Sequence, residues 1–261
     1  MIRGRTAALL LIVVTGAFPG SAGDDADLLI STAVSLKEPL LAAIDDFAES
    51  RGGSGFPAVD VHAAGSSVLA GQILRGAPTD LFVSASRPDV ERLVAAGLVD
   101  RSSICSLVGN VLVIVVPAGD RGIDGLEQLR DSRFERIGVA NPRTAPLGRY
   151  TAQALEAAGL LGLLADRRII AGHARQVVDY VARGEVDAAV VYATDAARFA
   201  DRVSVALEID PGLHEPVEYV VAHLGRNDPA SWSAQLFDHL CSDAGRARFE
   251  EAGFTPWPGP H

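Results

Sequence analysis

From residue 27 to residue 199 the chain alternates apolar runs of strand length with stretches of helical period. "DLLIST" (27–32) precedes a helix near 36–50, "VDVHAA" (59–64) one near 67–75, and "DLFVSA" (80–85) one near 88–96. "VLVIVVP" (111–117) and "IGVA" (137–140) follow, the latter leading into a helix from Pro146 to Ala158. "RRIIA" (167–171) leads into 174–182, and "DAAVVY" (187–192) into a short helix near 194–199. The tail adds "VSVALEI", "VEYVVAHL" and helices near 230–241 and 244–251. This alternation predicts an α/β protein whose sheets are mostly parallel and covered by helices on both faces. In such sheets ligands bind where loops leave the carboxyl ends of strands and enter helices.

The first residues read as something else. Arg3 and Arg5 supply a positive start, "AALLLIVVTGAF" an apolar core of about a dozen residues, and "PGSAGDD" small residues before an acidic stretch. This is the pattern of a secretory signal over residues 1–23, and its apolar run is too short for a comfortable membrane span, which needs about 20 residues. Cleavage is expected after Ala22 or Gly23. With no cysteine near that junction a lipid anchor is not expected; an uncleaved signal acting as an anchor is the alternative. Removing residues 1–23 removes two arginines and no acid, taking the formal net charge from −10 to −12. So acidic a chain argues against nucleic acid or anionic lipid as its partner. The six histidines and two cysteines show no metal-ligand spacing. In an exported chain the pair Cys105 and Cys241 is compatible with one disulfide, and nearly as well with two unpaired buried thiols.

The strand-to-helix junctions share a chemistry. Ser35 follows the first strand, at the expected N-cap of the next helix, and Ser66 and Ser67 follow the second. Pro146 fits a first helical turn and leaves Leu147 with a free backbone N–H, while "GHARQVV" starts a helix near Ala174. Tyr192 closes a buried strand with a hydroxyl that needs a partner. Taken singly these are caps, core and punctuation, since serine before a helix is ordinary capping. Together they place hydroxyls and unsatisfied N–H groups at several helix mouths, with charged side chains absent from most of them. Helix N-termini bind anions without cationic side chains. A neutral, donor-only site suits a fully ionised tetrahedral oxyanion, which carries no proton to share.

The segments "ISTAVSLKEPL", "AAGSSVLAGQILRGAPTDLFVSAS", "NPRTAPLGRYTAQALEAAGL" and "GEVDAAVVYATDA" occur in one order along the chain, with "AGF" near its end. In these the chain resembles the periplasmic molybdate-binding proteins of bacterial ABC importers, type II periplasmic binding proteins, over essentially its whole length past the signal. The resemblance implies two α/β lobes joined by a hinge, residues 24–107 and 204–261 forming one lobe and 108–203 the other. It implies a non-enzymatic, exported, monomeric carrier in the periplasm or on the outer side of the cytoplasmic membrane. Molybdate, and tungstate with it, would be delivered to a membrane permease and its ATPase, with no cofactor. Ser35 and Ser66 would donate through hydroxyl and backbone N–H, Leu147 and Ala174 through backbone N–H, and Tyr192 through its phenol. Ser67 would serve as cap or support, and His173 would alter the local charge below about pH 6.5. Cys105 and Cys241 would share a lobe, bringing a disulfide within reach.

Three other readings compete. A sulfate or phosphate binder would share the fold; phosphate calls for a carboxylate to accept its proton, and none stands among the five donors. An exported serine hydrolase using Ser35 or Ser66 would need a motif such as G-x-S-x-G or S-x-x-K, which is absent around both, leaving only His62 or His173 as bases. A regulator's effector domain would need a DNA-binding segment where the signal stands.

Overall fold

The computed structural model describes residues 28–52, 55–120, 122–224, 228 and 230–259. The expected signal segment lies outside the described residues. Two five-stranded sheets form the frame. The first contains β1 (Leu28–Ala33), β2 (Val59–Ala64), β3 (Leu81–Ser84), β4 (Ile104–Asn110) and β10 (Val217–His223), in the order β2-β1-β3-β10-β4. The second contains β5 (Leu112–Pro117), β6 (Ile137–Ala140), β7 (Arg168–Ala171), β8 (Ala188–Tyr192) and β9 (Val203–Glu208), in the order β7-β6-β8-β5-β9. The two orders correspond strand for strand. In each sheet one strand runs against the rest: β10 is antiparallel to β3 and β4, and β5 to β8 and β9. Each reversed strand is the one that enters just after the chain has crossed from the other sheet.

Those crossings move the expected lobe boundaries. Strand β4 stays in the first sheet to Asn110, so the break at 107/108 falls inside a strand. Strand β9 pairs with β5, and Ile209 N–H still bonds Leu112 O, so residues 204–209 belong to the second lobe rather than the first. The chain therefore crosses at Asn110–Val111 and returns between Ile209 and Val217. Strand β4 is also the one that a search for apolar runs passes over, because Cys105, Ser106, Gly109 and Asn110 interrupt it.

Helices α1 (Lys37–Ser50), α2 (Ser66–Ile73) and α3 (Arg87–Ala95) connect the strands of the first sheet, and α7 (Trp232–Cys241) and α8 (Asp243–Glu251) close it. The period of two in β3 and β10 decides which helices meet which face. Phe82, Val220 and Ala222 meet Leu69, Ile73, Val90 and Leu93 of α2 and α3. Leu81, Val83, Tyr219 and Val221 face the larger core with Leu40, Phe47, Leu236 and Phe249 of α1, α7 and α8. A disulfide joins Cys105, at the start of β4, to Cys241, at the end of α7. Around the second sheet lie α4 (Pro146–Ala157), α5 (Ala174–Ala182) and α6 (Ala193–Arg198). None of the described helices is long and apolar enough to cross a membrane.

Candidate anion-binding cleft

The carboxyl ends of β1, β2, β6, β7 and β8 point into one cleft between the two sheets. Its cavity volume is about 20 Å³, and it is lined by Ser35, Ser66, Leu147, Ala174 and Tyr192 together with Ala33, Val34, Ala64, Gly65, Ala85, Ala145, Pro146 and His173. All five residues singled out by the junction chemistry are therefore brought together. No arginine, lysine, aspartate or glutamate lines it.

Each lining group has a local cause. Ser66 is the first residue of α2, where its N–H has no intrahelical acceptor. Its Oγ accepts the Ala85 N–H at 3.0 Å, which leaves the hydroxyl proton to be donated elsewhere. Ser66 is fully buried. Leu147 and Ala174 occupy the second residue of α4 and the first of α5, where N–H groups are again unclaimed by the helix. Gly148 lets α4 approach this closely, because a Cβ there would stand 2.4 Å from Ala140 O. Tyr192 ends β8, is 1% exposed, and its hydroxyl is buried without a partner among the described residues. Burial, with the electrostatic effect of nearby Tyr219, raises its pKa well above the usual tyrosine value, so it is a proton donor throughout the ordinary pH range.

One serine role differs from expectation, and another is narrowed. Ser35 caps no helix: it lies in a 3-10 turn, Val34–Leu36, and α1 begins after Leu36 without a side-chain cap. The Tyr219 hydroxyl of β10 lies close to Ser35. That hydroxyl accepts from Asn110 Nδ2 at 3.1 Å, and Asn110 also reaches Thr194 at 2.9 Å. Ser67 is support rather than cap, since the N-cap of α2 is Gly65; its hydroxyl donates to Asp89 at 2.9 Å. His173 caps α5 through Nδ1, which accepts the Gln176 N–H at 3.3 Å. Burial first, then the Arg175 charge, lowers its pKa, so its charging falls below the expected pH 6.5.

The charges withheld from the cleft stand at its rim, where the sheets' helices meet across the gap. Arg175, next to Ala174, holds Glu38 of α1 with both terminal nitrogens, at 2.7 and 3.0 Å, and Arg198 joins at 3.0 Å. Burial pushes the Glu38 carboxyl up, but the Arg175 hydrogen bonds and the two positive charges hold it below the ordinary carboxylate value. On the other rim Arg149 of α4 reaches Ser67, Ser86 and Asp89. Between the rims Gly65 meets the loop before α4 so closely that a Cβ would stand 2.2 Å from Thr144 O. Sequence reasoning named neither these arginines nor Gly65, although "GSS" places a glycine where two backbones approach.

The described residues contain no cluster of three or more histidine, cysteine, aspartate or glutamate side chains that could hold a metal ion. The family model described as bacterial extracellular solute-binding protein matches residues 28–255. Among relatives, the molybdate-binding protein ModA of Escherichia coli is 30% identical over 239 residues, covering 89% of this chain and 90% of its own length. Among solved structures, the periplasmic molybdate-binding protein of Azotobacter vinelandii superposes with a TM-score of 0.72 at 22% identity, over 89% of this chain and all of that one. The sulfate-binding protein SubI of Mycobacterium tuberculosis gives 0.71 at 19% identity, over 89% of this chain and 87% of its own. At those identities the two structures share the fold.

Proposed function

The chain belongs to the bacterial extracellular solute-binding protein family, and we propose that it captures molybdate, and tungstate with it, in the cleft between its lobes. The observation that carries the reading is the buried, unpartnered Tyr192 hydroxyl facing a cavity walled by helix N-termini and free of charged side chains. A buried polar group costs about 1–3 kcal/mol when left unsatisfied, so a ligand rich in acceptors is its natural partner. Ser35 and Ser66 would each donate a hydroxyl and an N–H, Leu147 and Ala174 an N–H, and Tyr192 its phenol. A dianion with no proton satisfies donors on every side and asks for no acceptor in return. Hydrogenphosphate does ask for one, and no lining carboxylate supplies it.

Helix ends offset the acidic surface because their partial charges act at contact distance, whereas surface charge is screened beyond about 8–10 Å. The carrier would be exported, act as a monomer and hand its cargo to an ABC permease and its ATPase. The relative from E. coli, with its molybdate-binding name, favours this cargo. Sulfate is the second reading, favoured by the fold shared with a sulfate-binding protein, because its charge and donor needs are the same. A hydrolase has little to work with: the cleft's one histidine uses Nδ1 as a helix cap.

Isothermal titration calorimetry of the chain from Asp24 onward, with molybdate, tungstate, sulfate and phosphate in turn, tests the proposal. One-to-one binding of molybdate and tungstate with sulfate silent is the expected result. Tight sulfate binding would replace the cargo, and silence from all four anions would overturn the reading of the cleft.

A further inference from the structure

We propose that Arg149 is a positioning residue that straps the two lobes shut over the bound anion. This rests on the reading of the cleft as an anion site. Arg149 lies on α4, two residues beyond Leu147, yet every partner named for it belongs to the first lobe. Nη1 donates to Ser67 Oγ at 2.8 Å, and Nη2 donates to Ser86 Oγ and to Asp89 Oδ2, the latter at 3.2 Å. Ser67 adjoins Ser66 on α2, and Ser86 is the N-cap of α3. The guanidinium therefore ties the helix mouth carrying Leu147 to the one carrying Ser66, so two donors on opposite walls are held at a fixed separation.

The receiving side is built for a cation. Asp89 is 2% exposed, and its Oδ2 also accepts the Ser67 hydroxyl at 2.9 Å. Its other oxygen faces Arg92 at 3.4 Å, a side chain half in water. When the lobes part, the Arg149 bonds are lost together and Asp89 keeps only Ser67 and Arg92. Bonds made only in the closed form lengthen the life of that form, so the strap acts on release more than on encounter. The positive charge also reaches the cleft, where it opposes the rise in the Tyr192 pKa. The Glu38–Arg175 pair on the opposite rim is less enclosed, its carboxylate side chain 39% exposed against 3% for Asp89.

The test compares the chain from Asp24 onward with Arg149→Ala, Arg149→Lys and Asp89→Asn by stopped-flow binding and release of molybdate, and by small-angle X-ray scattering with and without the anion. Arg149→Ala is expected to raise Kd about 10- to 100-fold, almost entirely through faster release, with the association rate within about threefold. Arg149→Lys, which keeps the charge but not the fork, should recover part of the loss. Arg149→Ala should also scatter as a more open particle than the unmodified chain, while ligand-free melting of Arg149→Lys and Asp89→Asn stays near that of the unmodified chain. Release as slow as in the unmodified chain, with an unchanged radius of gyration, would overturn the strap. If the unmodified chain binds no molybdate, tungstate or sulfate, the reading of the cleft fails. The scattering comparison then still judges the strap, because a more open Arg149→Ala particle supports it and an identical one refutes it.

Discussion

On the first-lobe side the cleft is lined by two serine hydroxyls, Ser35 and Ser66; on the second-lobe side it is lined by the backbone ends of α4 and α5 and by one phenol, Tyr192. The first wall is made of groups that a substitution can remove, and most of the second is made of groups that it cannot. The lobes differ in bracing as well. The first carries the Cys105–Cys241 bridge, while no bridge ties the second among the described residues. Their buried aspartates differ in the same sense. Asp89 of the first lobe is met by Ser67, Arg149 and Arg92, whereas Asp195 of the second leaves Oδ2 without a partner. Under the proposed reading, binding in the first lobe would depend on side-chain chemistry held in a braced frame, and in the second mostly on backbone placement.

The sharpest way to break that contrast is to remove the brace. The bridge closes a loop with a sequence separation of 136, and cutting it in a Cys105→Ser/Cys241→Ser variant should cost about 3–5 kcal/mol of stability. Urea unfolding followed by tryptophan fluorescence reads this, since Trp232 stands on α7. A midpoint that does not move would show the first lobe needs no brace. At the cleft, Ser66→Ala should weaken molybdate binding by about 1.5–3 kcal/mol, the scale of a hydrogen bond to a charged group. Tyr192→Phe should fall within the same range, and since its hydroxyl has no partner among the described residues, Phe should not lower the ligand-free melting temperature. At the seam, Gly65→Ala should cost about 1–3 kcal/mol of affinity, because the new methyl meets Thr144 O when the lobes close. Leu147→Ala keeps its N–H and should change affinity by less than about 0.5 kcal/mol. A loss as large as that of Ser66→Ala would erase the distinction between the walls.

The aspartates offer a pH test of the same comparison. Burial, opposed by Arg175 and reinforced by Glu38, pushes Asp195 up to about 6 from its ordinary value of 3.8. The fold therefore favours its protonated form. The stabilisation is complete below the ordinary carboxylate value and is lost as pH rises through about 6. Asp195→Asn should flatten the stability profile between pH 4 and 6 in urea titrations; an unchanged slope would assign the titration to other groups.

The wall residues were legible because their causes are local. Ser66, Pro146 with Leu147, and Ala174 all sit where an apolar run meets a helix start, and helix mouths announce themselves in sequence. The rim was not legible. Arg149 meets Ser86 across 63 residues and Arg175 meets Glu38 across 137, and such pairs follow from how the two lobes face one another. Ser35 was expected at the N-cap of the next helix, but a 3-10 turn, Val34–Leu36, intervenes before α1. Strand β9 falls in the second lobe, against the expected boundary, because its partner β5 lies about 90 residues earlier in the chain.

The most direct measurement is the anomalous map, collected at a tungsten absorption edge, of crystals of the chain from Asp24 grown with tungstate. The account predicts a single strong peak within hydrogen-bonding reach of Ser35, Ser66 and Tyr192 and of the N–H groups of Leu147 and Ala174. A peak elsewhere, or an empty cleft at saturating tungstate, would contradict it.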